Sequence, residues 1–146
     1  MIAVDTNILI YAHRRDSTFH EAAAAQVRTL VEEGERWALP WTCVGEFYSV
    51  ATHARFYDPP STPDQAIRQI DIWLESPTLS VLRETSGTWS ALRRLLSEVQ
   101  VTGPRVHDAR IAALCIAHGV RELWTADRDY GRFPGLRTRN PLVTVS

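Results

Sequence analysis

The chain contains no lysine, and all 16 of its basic residues are arginine. A P-loop needs a lysine at the phosphates, and a pyridoxal Schiff base needs a lysine nucleophile. Both chemistries are therefore excluded. Cysteine is almost as scarce. Cys43 and Cys115, the only two, are too few for a disulfide scaffold and lack metal-ligand spacing. Each lies in an apolar stretch and reads as a buried free thiol. No apolar run is long enough to span a bilayer. The N-terminal "MIAVDTN" lacks the basic region and cleavage site of a signal peptide, so a cytoplasmic location is expected. There is no G-x-G-x-x-G and no G-x-S-x-G. "HEAAA" at His20 lacks the second histidine of a zincin. Repeats and low-complexity segments are absent too.

What is there describes an ordinary globular domain. The 146 residues are 45% hydrophobic and 23% charged, with a net charge of −1, enough for one domain with a real core. Arginine forks suit bidentate phosphate contacts, although codon usage in a GC-rich genome is the stronger explanation of the arginine bias. "IAVD" (2–5), "WALP" (37–40), "TLSVL" (78–82) and "RELWTA" (121–126) read as buried strands, with "LVTV" (142–145) as a fifth. Helical spacing runs through 6–14, 19–34, 42–53, 64–76, 88–100 and 106–119. Gly34 is placed to end the second of these and Thr42 to cap the third. In 64–76, Ala66, Ile70 and Leu74 are among the apolar residues. The segment 55–64 is turn-rich and reads as a loop. Strands alternating with helices predict one α/β domain, residues 1–146, with a central, mainly parallel sheet of four to five strands.

In such sheets, ligands bind beyond the carboxyl ends of the strands. Asp5 and Asp127 both fall there. Glu46 lies in the first turns of the helix after the second strand, and Asp108 starts the helix 106–119. Singly, each helix-start acid also reads as a partner of the helix dipole or a cap. Together, Asp5, Glu46, Asp108 and Asp127 would repel one another and raise one another's pKa values. A fold gathers such a set when a cation offsets it, and Mg²⁺ and Mn²⁺ take oxygen ligands. The chemistry such a site supports is attack of an activated water on phosphorus.

"VDTNILIYA" (4–12), "GEF" (45–47), "HDARIAALCIAHG" (107–119) and "TADRDYGRFPGLRTRNPL" (125–142), in that order and spacing, resemble the motifs of PIN-domain ribonucleases. The likeness is to the VapC-type toxins of bacterial toxin–antitoxin pairs in particular. The resemblance spans essentially the whole chain. It implies a three-layer α/β/α fold and an endoribonuclease using Mg²⁺ or Mn²⁺ held by Asp5, Glu46, Asp108 and Asp127. It also implies hydrogen-bonding support from Thr6, Asn7 and Thr125, an RNA substrate, a small cognate antitoxin protein and a homodimer. Asp129 is either a further acid acting through water or a turn former.

Setting those five acids aside leaves 12 against 16 arginines, a surplus of about four positive charges available to an RNA backbone. Arg128, Arg132, Arg137 and Arg139 are concentrated in the tail, and Arg14 and Arg15 follow the first motif. Arg128, Arg132 and Arg14 are the expected phosphate contacts, and Tyr130 or Phe133 the expected base-stacking groups. The rival for the tail is simple packing, with Phe133 in the core. Two other functions compete. A phosphatase of the haloacid dehalogenase type also starts with a strand-end Asp, but needs an acid where this chain has Asn7. A PIN-like binding module without turnover would have no need of an intact acid set.

Overall fold

The computed structural model describes residues 1–143. Five strands form one sheet: β1 (Ile2–Val4), β2 (Trp37–Pro40), β3 (Leu79–Leu82), β4 (Glu122–Trp124) and β5 (Thr138–Arg139). Their order is β3-β2-β1-β4-β5, and every neighbouring pair is parallel. β1 is therefore central and short. All of Ile2, Ala3 and Val4 are buried, as expected of a strand covered on both faces.

The helices are α1 (Thr6–His13), α2 (His20–Glu32), α3 (Trp41–Ala51), α4 (Pro63–Leu74), α5 (Thr88–Val99) and α6 (Val106–Ala117). α1 packs on α2 and α3, and α3 on α4, while α5 and α6 pack on each other. The sheet lies between these groups in a three-layer α/β/α sandwich. The core is built from Val4, Ile8, Leu9, Leu39, Phe47, Leu95 and Leu123, all at most 1% exposed. Trp37 is also fully buried, and its indole N–H donates to Ser76 Oγ at 3.0 Å, which removes the cost of an unpaired donor. Gly34 follows α2 with φ of 72°, the left-handed conformation that ends a helix and favours glycine.

Four details differ from the sequence reading. α3 begins one residue early, at Trp41, so Thr42 is inside the helix and its hydroxyl caps nothing. α4 runs Pro63–Leu74 rather than 64–76, burying Ala66 and Trp73 and leaving Leu74 39% exposed. β4 ends at Trp124: the Thr125 N–H still donates to Arg139 O of β5 at 2.9 Å, but the Ala126 and Asp127 N–H groups turn to side chains. The fifth strand is Thr138–Arg139; Leu142 lies in a turn, and residues 144 and 145 are outside the described residues.

Because the strands are parallel, their carboxyl ends share one edge of the sheet. α1 starts directly after β1, and α3 directly after β2. The residues that leave β1, β2 and β4 therefore emerge side by side.

Candidate active site

Asp5 is the residue at which β1 becomes α1. Its backbone N–H continues the ladder to Trp124 O of β4 at 2.9 Å. Its side chain caps α1, Oδ1 accepting from the Thr6 N–H at 2.8 Å. Oδ2 accepts from the Thr125 hydroxyl at 2.8 Å and from the Asn7 amide at 3.3 Å. Asn7 also donates to Thr125 Oγ1 at 3.2 Å and accepts from the Ala126 N–H at 3.1 Å. Thr125 Oγ1 accepts in turn from the Asp127 N–H at 3.1 Å. Asp5, Asn7 and Thr125 thus lock the ends of β1 and β4 together through a closed polar network. Asn7 acts there as an amide, donating where an acid could not, which sets the site apart from a pair of strand-end acids.

Asp5, Glu46, Asp108 and Asp127 all line one cleft of about 250 Å³, together with Thr6, Asn7, Ile10, Tyr11, Tyr57 and Tyr130. Glu46 comes from the second turn of α3, Asp108 from the first turn of α6, and Asp127 from the segment after β4. No arginine or histidine lines this cleft. The electrostatic result is visible in the acids. Burial lifts the Asp5 carboxyl from 3.8 to about 6, against the Thr125 and Thr6 hydrogen bonds, and the charges of Glu46 and Asp108 add to the rise. Glu46 is raised first by desolvation, with Asp108 adding to it and the Thr6 hydroxyl and His107 opposing. Asp108 is raised by desolvation and then by Asp127, with the Tyr130 hydroxyl and the Arg105 charge opposing.

The four acids share a cleft without being drawn into a cluster. Among the described residues no three histidine, cysteine, aspartate or glutamate side chains stand close enough together to hold one metal ion. The physical reason is in the contacts. Asp5 is turned toward its own helix and Thr125, and Asp127 caps the following 3₁₀ turn through the Asp129 N–H at 2.9 Å. The donor set nevertheless fits a hard divalent cation: carboxylate, amide and hydroxyl oxygens face the cleft, no positive side chain among the described residues lines it, and Arg105 and His107 act on Asp108 and Glu46 only from outside that lining. The nearest sulfur, Cys43 Sγ, is 3.8 Å from Asp5 Oδ1, and burial holds its thiol protonated.

The segment after Asp127 departs most from expectation. Tyr130 is 2% exposed and Phe133 3%. Their rings pack edge to face, and the Tyr130 hydroxyl donates to Asp108 Oδ1 at 3.4 Å. Neither ring can stack on a base without leaving the core, so the packing alternative describes them. Asp129 points away to Arg105, whose Nη1 donates to Oδ2 at 2.8 Å. Arg14 is also committed: it pairs with Asp16 at 2.6 Å, donates to Ser61 Oγ and Pro59 O, and covers the Tyr57 ring at 4.3 Å. Its side chain is 11% exposed, which leaves little to offer a phosphate. Arg128 and Arg132 are exposed and make no ion pair among the described residues. Sequence reasoning missed Tyr11 and Tyr57, which also line the cleft. Tyr11 sits inside the first motif and the signal for it was available; Tyr57 lies in a loop that carried none.

Residues 2–136 match the PIN domain family model. Ribonuclease VapC43 of Mycobacterium tuberculosis is 34% identical over 142 residues, covering 97% of this chain and 96% of that protein. Ribonuclease VapC48 of the same organism is 31% identical over 137 residues, 94% of each. Among solved structures, the chain shares its fold with VapBC2 from Rickettsia felis bound to a promoter DNA fragment. That match has a TM-score of 0.71 at 19% identity and covers 95% of this chain and 98% of that one. The M. tuberculosis sarcin-ricin loop cleaving toxin VapC20 superposes with a TM-score of 0.67 at 16% identity, over 94% and 99%.

Proposed function

The chain belongs to the PIN-domain family and is homologous to the VapC-type toxins, and on that premise we propose that it is a metal-dependent endoribonuclease, the toxin of a toxin–antitoxin module. The observation that carries this reading is the cleft: four carboxylates from four separate elements face one space that contains no positive side chain. Such a site suits a divalent cation, and the homology to VapC ribonucleases makes phosphodiester hydrolysis the chemistry that would use it. When bound, Mg²⁺ or Mn²⁺ supplies Lewis-acid chemistry, polarising the phosphoryl group and making water nucleophilic at neutral pH.

The chain's own residues divide the work. Asp5 is the fixed ligand, since Thr6, Asn7 and Thr125 hold both of its oxygens in place. Asp108 is steadied by the Tyr130 hydroxyl. Glu46 and Asp127, which line the same cleft, would complete the ligand set, and Asp129 is tied to Arg105 instead. Arg128 and Arg132, exposed beside Asp127, hold phosphates of the RNA. Partners follow from the same homology: a small antitoxin protein that silences the site, and a second copy of the chain. Residues 1–146 act as a single PIN domain.

The test is cleavage of end-labelled RNA by the purified protein with Mg²⁺, with Mn²⁺ and with excess chelator. Cleavage is expected only with a cation, and should be lost in Asp5→Asn and Asp108→Asn. Undiminished cleavage in chelator would refute the mechanism. A small open reading frame beside the gene, encoding a DNA-binding domain, would support the toxin role independently.

A further inference from the structure

The rings expected to stack on a base, those of Tyr130 and Phe133, belong to the core, yet the acid cleft has an aromatic lining of its own. On α1, Asn7, Ile10 and Tyr11 line it, three and four residues apart and so on one face of the helix. On α3, Glu46 and Val50 line it, four residues apart. Each helix therefore presents a polar side chain nearer its N-terminus and an apolar or aromatic one a turn further along, about 6 Å by helical rise. Tyr57, from the segment after α3, joins this second set. Burial raises the Tyr57 phenol above its usual range and Tyr11 adds to the rise, so the two phenols lie within electrostatic reach of each other.

Both rings are backed by groups that do not line the cleft. Phe19 packs against Tyr11 with ring centroids 5.1 Å apart, and the Arg14 guanidinium covers the Tyr57 ring at 4.3 Å. Arg14 is itself held by Asp16, Ser61 and Pro59, so Tyr57 is supported although it lies in a loop. Both tyrosines are half-buried, and part of each stays accessible. With Ile10 and Val50 they offer no carboxylate to a metal and no cation to a phosphate. What such a surface takes is a flat, unstacked ring. A nucleotide carries that ring at a distance from its phosphate comparable with one helical turn.

We infer that Tyr11 and Tyr57 hold, by stacking, the base of a nucleotide that flanks the scissile phosphate, and that this subsite favours a purine beside the cut. The inference rests on the ribonuclease reading of the cleft. Acids acting on a phosphodiester meet the same group at every step of an RNA chain, so they exert no choice. Stacking does, modestly, because the two-ring purines cover more of an aromatic face than the pyrimidines do. An apolar side chain of a protein segment would also lie against two rings. The base is favoured because both tyrosines line the same cleft as the acids, and the strand that enters that cleft to be cut is RNA.

The experiment begins with a sequence-randomised pool of single-stranded RNAs of about 12 nucleotides, cut by the full chain in Mg²⁺ and sequenced at the new ends. A purine preference is expected at one position beside the cut, lost in Tyr57→Leu and kept in Tyr57→Phe, which retains the ring. The best-cut sequence is then made intact and with an abasic site at that position, and binding of both is measured in EDTA, where nothing is cleaved. The abasic site should weaken binding to the wild type on the order of tenfold. Tyr11→Leu and Tyr57→Leu should each weaken binding of the intact RNA to a similar extent, and binding of the abasic RNA no further than the missing base already has. A wild type that cuts without regard to the flanking base, or losses that add in either variant, overturns the base subsite while leaving the cleft's function intact. If the variants bind both RNAs as the wild type does but lose a leucine-rich peptide that the wild type binds, the rings serve a protein segment and the inference falls. A wild type that neither binds nor cleaves RNA removes the reading of the cleft itself.

Discussion

The two ends of α1 carry opposite charge problems. At its N-terminus, four acids face a space with no cation among its lining residues. At its C-terminus, four arginines face a space whose one acid is already paired. The net charge of −1 averages these away, which is why bulk composition does not suggest a nucleic-acid binder. The protein also treats the two ends differently. At the acidic end Asp5 is buried and tied by hydrogen bonds between β1 and β4, so its geometry is fixed before anything binds, while Asp108 and Asp127 are half-buried and Glu46 is exposed. At the basic end Arg15, Arg28 and Arg68 are exposed and make no ion pair among the described residues. Rigid placement goes with chemistry, and exposed charge stays adaptable.

The sharpest way to break this contrast is to remove charge from the fixed end. Asp5→Asn should lower cleavage on the order of a hundredfold or more while leaving the salt dependence of RNA binding unchanged. Cleavage rates paired with binding isotherms check this. A variant that cleaves at even a tenth of the wild-type rate would mean that Asp5 is dispensable.

The same acid makes stability depend on pH. Asp5 is raised from 3.8 to about 6 in the folded chain, so between those values the native state holds a proton that the unfolded state has lost. Stability must then fall as pH rises from about 4 to about 6, by roughly 3 kcal/mol for Asp5 alone. Glu46 and Asp108 are raised too, and add in the same direction. Thermal melts in chelator should therefore show the wild type losing stability across this window, and Asp5→Asn losing less. Mg²⁺ at about a hundred times its dissociation constant should restore about 2.7 kcal/mol to the wild type at pH 7. A flat profile would show that Asp5 titrates as it does in an unfolded chain.

A smaller effect tests whether the polar network fixes the site. Thr125→Val keeps the side chain's shape but removes the hydroxyl that donates to Asp5 and accepts from Asn7 and Asp127. The buried carboxylate loses one partner, which costs about 1–3 kcal/mol. The descent in stability should move to higher pH, because the hydrogen bond that lowers the Asp5 pKa is gone. An identical melting profile for Thr125→Val would mean that the two strand ends are held by the backbone ladder alone.

How much of this could be read in advance follows the same division. β1, β2 and the start of α6 were legible because buried parallel strands are short apolar runs, and acids that follow them are conspicuous. Asp5, Glu46, Asp108 and Asp127 reach one cleft because parallel strands put all their carboxyl ends on one edge. β5 was not legible: Thr138 and Arg139 have no apolar signature and become a strand only because β4 offers an edge. Tyr130 and Phe133 were ambiguous because a Gly- and Pro-rich loop looks the same in sequence whether it lies on the surface or folds its rings inward. Arg14 could not be told from Arg15, since the Asp16, Ser61 and Tyr57 contacts that commit it come from the fold. The basic depression at the C-terminal end of α1 draws on two helices from distant parts of the chain, and no spacing within either one announces the other.

The smallest predicted effect concerns the tail. Arg128 and Arg132 lie on the 3₁₀ turn that Asp127 caps, and both are exposed while Tyr130 between them is buried. The turn therefore faces its charges outward beside the acid cleft and uses its aromatic ring as the anchor. If these arginines hold phosphates, each Ala substitution should lower the salt slope of RNA binding by about 0.7, a change of only a few-fold in affinity at moderate salt. Fold and metal dependence should be unaffected, because neither side chain makes an ion pair among the described residues. Wild-type slopes in Arg128→Ala and Arg132→Ala would mean that the strand is held without the tail, which then serves only to seat Tyr130 against Asp108.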